Sequence, residues 1–313
     1  MEYRKLGHSS VRVSAISIGA WLTFGNSVEE LRTHKILDAA VDHGINFVDV
    51  ADVYALGMAE TVVGTWLKNK DRSKLVVSSK VYWPMSNDVN DRGLSRKHIF
   101  ESVEKSLKRL QTDYLDIYFC HRYDEETPLE ETVCALDDLV RQGKILYWGT
   151  SVWEAQQLRA VMDICHDHFL YRPQVEQPRY NMLDRHIEDE IIKTASENGM
   201  GIVVWSPLGQ GILTGKYNES LPKGSRGAET GWLAEYLTET HLGHVRKLTR
   251  LASDLHLSMT QLALAWVLRK PEISSAITGA TDVKHVKSNV KALDALSQLN
   301  YGVVNQIREI LNG

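Results

Sequence analysis

Eight short runs of apolar and β-branched residues recur along the chain: AISIGAW, NFVDVAD, LVVSSKV, YLDIYFCH, ILYWGTS, PQVEQPRY, GIVVWSPL and SSAITGAT. Between them the apolar residues fall at helical spacing, as in Ile99, Val103, Leu107 and Leu110, and again in Leu129, Val133, Leu136 and Val140. Nearly continuous apolar runs fit strands buried on both faces, and their alternation with helices fits a parallel sheet. Eight strands can close on themselves, whereas an open sheet would need edge strands. The pattern predicts an α/β fold, a (β/α)8 TIM barrel formed as a single domain over residues 1–313.

Local signals agree with that reading. Thr127, Pro128 and Glu130 read as a capping box with proline at the first helical position. Gly44, Gly143 and Gly199 follow periodic segments, where a left-handed residue ends a helix. The YRKLG stretch with Val11 and Val13 reads as an N-terminal β-hairpin plugging the far end of the barrel. From Gly209 to about Thr238 a glycine-rich stretch shows little periodicity and reads as a long lid or binding loop.

At 313 residues the chain lies within the range of a barrel domain. With 43% hydrophobic and 24% charged residues it reads as globular, and its net charge of −4 argues against a nucleic-acid partner. Neither a signal segment nor a run of about eighteen apolar residues is visible, so the expectation is a cytoplasmic protein without a membrane partner. Cys120, Cys134 and Cys165 form no C-x-x-C pair and support neither a disulfide framework nor a zinc site. His166 and His168 form an H-x-H pair but lack further ligands; the expectation is a solvated helix end and no metal.

The candidate chemistry lies at the ends of the runs. Asp49, Tyr54, Lys80 and His121 stand near the ends of three successive apolar runs, and in a parallel barrel those ends converge on the rim where catalysis occurs. Taken singly, each has an ordinary structural reading: a capping aspartate, a packed tyrosine, a solvated lysine, a satisfied core histidine. Together they form a proton-donating site. A phenol with a pKa of about 10 benefits from an adjacent cation that makes its proton easier to give up. Lys80 supplies that cation and Asp49 its counter-ion, while His121 can polarise a carbonyl oxygen. Trp21, Tyr82 and Trp83 would border an apolar substrate pocket for a small-molecule carbonyl compound.

These residues lie in longer stretches, among them GAWLTFG, GINFVDVADVYALGMAE, TPLEETVCALDDLVRQGKILYWGTS, WSPLGQGILTGKY and TGATDVKHVKSNVKAL. Over nearly its whole length the chain resembles an aldo-keto reductase, most closely the potassium-channel β-subunit-like branch. The resemblance implies NADPH-dependent reduction of aldehydes or ketones to alcohols, with NADH as a second usable cofactor. It makes Tyr54 the general acid, Lys80 and Asp49 its tuning pair, and His121 the orienting donor. Since that histidine position can hold asparagine in channel β subunits, the imidazole favours a working reductase. The alternative is a dinucleotide-binding redox sensor or regulatory subunit with slow turnover, and the branch also implies that the chain can form a homo-oligomer.

The same resemblance places Ser151 and Gln177 at the nicotinamide carboxamide and Trp205 on its ring, with Trp21 nearby. Ser206, Leu208, Gly211, Lys216 and Arg226 would line the dinucleotide, while Gly279, Thr281, His285 and Asn289 would hold its adenosine end. Lys216 and Arg226 favour a 2′-phosphate and hence NADPH. Ala20, Val152 and His285 depart from the family pattern, and His285 weakens a strict preference. Thr281 is expected where the last helix begins, with free backbone N–H groups for a phosphate.

Overall fold

A computed structural model of the chain describes residues 1–229 and 231–313, with the side chains of Arg226, Glu229 and Trp232 outside the described set. Two short strands, β1 (Tyr3–Lys5) and β2 (Arg12–Ser14), pair as an antiparallel hairpin. Eight more follow: β3 (Ile16–Gly19), β4 (Phe47–Asp49), β5 (Val76–Val81), β6 (Leu115–Cys120), β7 (Ile145–Thr150), β8 (Val175–Glu176), β9 (Gly201–Val204) and β10 (Ile273–Thr278). They close in chain order, β10 pairing with both β9 and β3, and all pairs are parallel. The fold is a (β/α)8 barrel with an N-terminal hairpin, and the eight apolar runs supply its eight strands.

The helix of Arg96–Leu110 buries Ile99, Val103, Leu107 and Leu110 against the barrel, so the helical stripe lies where its periodicity places it. Ser95 caps this helix by accepting the His98 N–H at 3.3 Å. The expected capping box at Thr127 does not form. The helix runs Leu129–Arg141 with Pro128 as its cap and no side-chain cap, because the Thr127 hydroxyl donates instead to Asp124 Oδ2 at 2.7 Å. Gly44, Gly143 and Gly199 do adopt φ of 83°, 71° and 68° just after helices.

Alternation along the strands fills the barrel and then furnishes its mouth. Phe47, Val76, Ile117, Phe119, Val175, Val203 and Ile277 form one interior cluster with Leu6 and Val13 of the hairpin region, so the hairpin closes the end where the strands begin. A period of two carries the inward face onward from Phe47 to Asp49, from Val76 to Ser78 and Lys80, and from Phe119 to His121. The same step runs from Val175 to Gln177 and from Val203 to Trp205. Gly149 allows this interior to close, because a Cβ there would lie 2.5 Å from Val175 Cγ1 and 2.9 Å from Phe119 Cε1.

The glycine-rich stretch is more ordered than its sequence suggests. It contains 3-10 turns at Gly209–Thr214 and Gly231–Leu233 and a short helix at Arg226–Glu229, and it buries Leu233 and Tyr236. Turns this short have no 3.6-residue stripe to read. Among the described residues, no helix is long and apolar enough to cross a membrane.

Candidate active site

Lys80, at the end of β5, is fully buried, and its ammonium has three partners. It donates to Asp49 Oδ2 at 2.7 Å, to the Val50 carbonyl at 2.7 Å and to the Tyr54 hydroxyl at 3.2 Å. The Asp49 carboxylate also accepts from Ser78 Oγ at 2.8 Å and Gln177 Nε2 at 3.0 Å. The imidazole of His121 packs edge-on to Tyr54, with ring centroids 5.8 Å apart, and its Nδ1 is buried without a hydrogen-bond partner among the described residues. All four catalytic candidates therefore meet at one mouth of the barrel.

Charge and burial oppose one another here. Burial works to depress the Lys80 pKa, but the Asp49 carboxylate and the Tyr54 phenol hold it above its ordinary value, so the group stays an ammonium. For Tyr54 burial wins, with Asp49 adding to it, and the phenol stands above its ordinary pKa despite Lys80. This corrects the expectation of a proton that is easier to lose in the resting site: Lys80 offsets the cost of burial without overturning it. Burial, reinforced by Lys80 and Arg122, holds His121 well below the usual histidine range and keeps the ring neutral.

Strain gathers around this mouth. Leu22, Ala55, Leu56, Val152, Ser206 and Gln210 all have positive φ and all follow strand ends at the rim. A β-branched residue such as Val152, at φ 59°, is held there only by its surroundings. Its neighbour Ser151 donates Oγ to the Gln177 carbonyl at 2.9 Å, linking the ends of β7 and β8.

The remaining candidates form two walls. Trp21 meets Trp205 edge to face with centroids 6.0 Å apart, and the buried Trp205 Nε1 has no hydrogen-bond partner among the described residues. On the other side Tyr82 and Trp83 pack at 5.0 Å, and Trp83 reaches His121 at 6.3 Å. Ser206 Oγ accepts the Gln210 N–H at 3.0 Å, and partly buried Leu208 precedes the turn that carries Gly211. At Gly211 φ is 108°, and a Cβ there would lie 3.5 Å from Lys216 Nζ.

At the end of β10, a Cβ on Gly279 would make only ordinary contact, 3.9 Å from Thr23 Cγ2, and Asn289 is buried. His285 Nδ1 lies 3.4 Å from both the backbone nitrogen and the hydroxyl of Thr281. The helix start differs from expectation: Asp282 caps Val283–Val290 by accepting the Lys284 N–H at 3.0 Å, and further helical turns follow. A carboxylate therefore already holds part of the site proposed for phosphate. The side chain of Arg226 lies outside the described residues.

Several participants escaped sequence reasoning. Ser78 had a signal in the alternation of LVVSSK, whereas Arg122, Asp52 and Glu176 had none. Asp52 is buried behind the Tyr54 turn, where it accepts the Val53 N–H at 2.6 Å and the Ser102 hydroxyl at 3.0 Å. Burial and nearby Glu60 push its pKa up to about 7. Buried Glu176 accepts the Thr150 hydroxyl at 2.5 Å, and burial raises it to about 7 as well.

The parallel barrel thus gathers a tyrosine, a lysine, an aspartate and a histidine at its strand ends. The model of the Aldo/keto reductase family matches residues 15–312, and the chain belongs to that family. It is 42% identical to a probable voltage-gated potassium channel subunit beta of Arabidopsis thaliana, over 99% of this chain and 97% of that protein. A protein of the same description from Oryza sativa subsp. japonica is 43% identical with the same coverage. A putative channel subunit beta of Schizosaccharomyces pombe is 41% identical over 99% of this chain and 93% of its own length.

Proposed function

We propose that the chain is an NADPH-dependent reductase of aldehydes or ketones, acting as one barrel domain over residues 1–313. The observation that carries this reading is the buried Lys80 ammonium, 2.7 Å from Asp49 and 3.2 Å from the Tyr54 hydroxyl. A phenol next to a buried ammonium suits a site where negative charge develops on an oxygen and must receive a proton.

The residues present fit the dinucleotide. Trp205 offers an aromatic face and a buried N–H, Ser151 and Gln177 bring polar groups to the mouth, and Gly211 leaves room beneath Lys216. Ser206, Leu208, Arg226, Gly279, Thr281, His285 and Asn289 are assigned to its remaining length. When bound, the nicotinamide supplies a hydride to the carbonyl carbon. The neutral His121 ring donates an N–H to the carbonyl oxygen and orients it. Tyr54 then gives that oxygen its proton, and the phenolate left behind is stabilised by Lys80 until solvent reprotonates it. Asp49 keeps Lys80 charged and fixed. Trp21, Tyr82 and Trp83 exclude water and favour an apolar body on the substrate.

The names of the relatives support a second reading, a regulatory subunit that holds dinucleotide and turns over slowly, with copies of the chain or a channel as partners. Titrating the protein fluorescence with NADPH and NADH, followed by a panel of aldehydes, separates the two. Steady turnover supports the reductase. A single burst without turnover supports the regulatory subunit, and no quenching by either cofactor removes both.

A further inference from the structure

Arg122 directly follows His121 at the end of β6, and its guanidinium is turned toward the site. One nitrogen, Nη1, donates to the His121 carbonyl, and the guanidinium carbon lies 5.5 Å from the ring centroid of Trp83. Trp83 contacts His121, which contacts Tyr54, so the cation belongs to the same cluster as the proposed proton donor. Yet no carboxylate among the described residues lies within ion-pair distance of it. Its neighbour Arg179, by contrast, is matched, pairing with Asp184 at 2.5 Å and Glu235 at 2.8 Å.

A largely buried cation without a counter-ion is costly unless a ligand supplies one. Burial does lower the Arg122 pKa, but a guanidinium remains charged in proteins. Of the groups that act on it, Tyr54 and Tyr82 are phenols and Arg179 is a like charge. Glu176 keeps its proton up to about pH 7 and so balances Arg122 only in part.

The dinucleotide phosphates do not account for this charge. Their candidate anchors follow β9 (Lys216 and Arg226) and β10 (Thr281 and His285), which stand three and four strands from β6 around the barrel. Arg122 lies on the side of Tyr82 and Trp83, where the substrate is expected.

Building on the reductase reading, we infer that Arg122 is a specificity-determining residue that binds a carboxylate on the carbonyl substrate, so that the preferred substrates are aldehydes or ketones bearing an acid group. The guanidinium has N–H groups left after its bond to His121, and its planar edge matches a carboxylate. The ring of Trp83 beside it suits the apolar spacer between acid and carbonyl.

The test is a matched pair, 3-formylbenzoate and its methyl ester, with wild type, Arg122→Gln and Arg122→Lys. Wild type is expected to favour the acid at least tenfold in kcat/KM. In Arg122→Gln, which keeps a donor for the His121 carbonyl but no charge, the acid-to-ester ratio should fall at least tenfold, chiefly through KM. In Arg122→Lys the acid should still be favoured. Raising salt from 50 to 500 mM should raise the wild-type KM for the acid and spare that for the ester, a readout that survives if the variants do not fold. A ratio near one in wild type, or the same ratio in Arg122→Gln, overturns the assignment while leaving the reductase intact. If neither aldehyde is reduced, the reductase reading fails, and binding of benzoate against benzamide to the NADP+-loaded protein decides Arg122 separately. Tighter benzoate binding that is lost in Arg122→Gln sustains the carboxylate site, and equal binding overturns it.

Discussion

Gln177 donates its side-chain amide to Asp49, Nε2 to Oδ1 at 3.0 Å, across 128 positions of chain. A carboxylate can only accept, so this contact fixes which end of the amide faces Asp49 and turns the amide oxygen away from it. One side chain thereby ties the proposed carboxamide site to the Asp49–Lys80 pair. Asp49 takes three side-chain donors, from Ser78, Lys80 and Gln177, so that both oxygens of this buried carboxylate are satisfied.

Replacing Tyr54 with phenylalanine removes the proton donor and keeps the ring packed against His121. Dinucleotide affinity is expected to stay within about threefold of wild type, while aldehyde turnover falls by roughly 10² to 10⁴. Fluorescence titration and steady-state rates check the two separately. Undiminished reduction would remove Tyr54 from its role.

The Lys80–Asp49 pair is buried on both sides, and breaking it should cost more than removing it. Lys80→Met leaves a buried carboxylate without its cation and is expected to destabilise the fold by about 3–5 kcal/mol. Adding Asp49→Asn to that variant should recover part of the loss, although turnover stays low in both. Denaturant unfolding of the single and double variants measures the difference, and additive losses would contradict the pairing.

Asp52 makes stability depend on pH. Its folded pKa of about 7 lies above its ordinary value of 3.8, so the folded state binds a proton that the unfolded state releases. The stability this confers is complete below about pH 4 and is lost as pH rises through 7. Asp52→Asn has no charge to bury and keeps an acceptor for the Val53 N–H. The melting temperature of the variant relative to wild type should therefore be higher at pH 8 than at pH 5. A difference independent of pH would mean that Asp52 is ionised throughout.

Lys216 lies beside Gly211, and its charge acts on His285. Lys216→Met is expected to weaken NADPH by about tenfold or more and NADH by much less, since only the former carries the 2′-phosphate. Equal weakening in parallel titrations would move Lys216 away from that phosphate.

The barrel was legible because each strand is an apolar run bounded by a helix, a pattern local to some twenty or thirty residues. The capping arrangement at Thr127 was misread because a short-range motif competed with Asp124, whose carboxylate also takes the Leu94 N–H at 2.7 Å from thirty positions away. The ordered turns of the glycine-rich stretch were hidden by their brevity, and Arg122 by the absence of any pattern around it.

By itself the sequence determined the eight strands, the inward alternation that ends in Asp49, Lys80 and His121, and the kind of chemistry those groups allow. Tertiary structure decided their electrostatics. Whether Tyr54 is more or less acidic than a free phenol depends on how far water is excluded and how near Lys80 lies. Neither quantity is local to the chain, since both arise only when strands distant in sequence close around the same mouth.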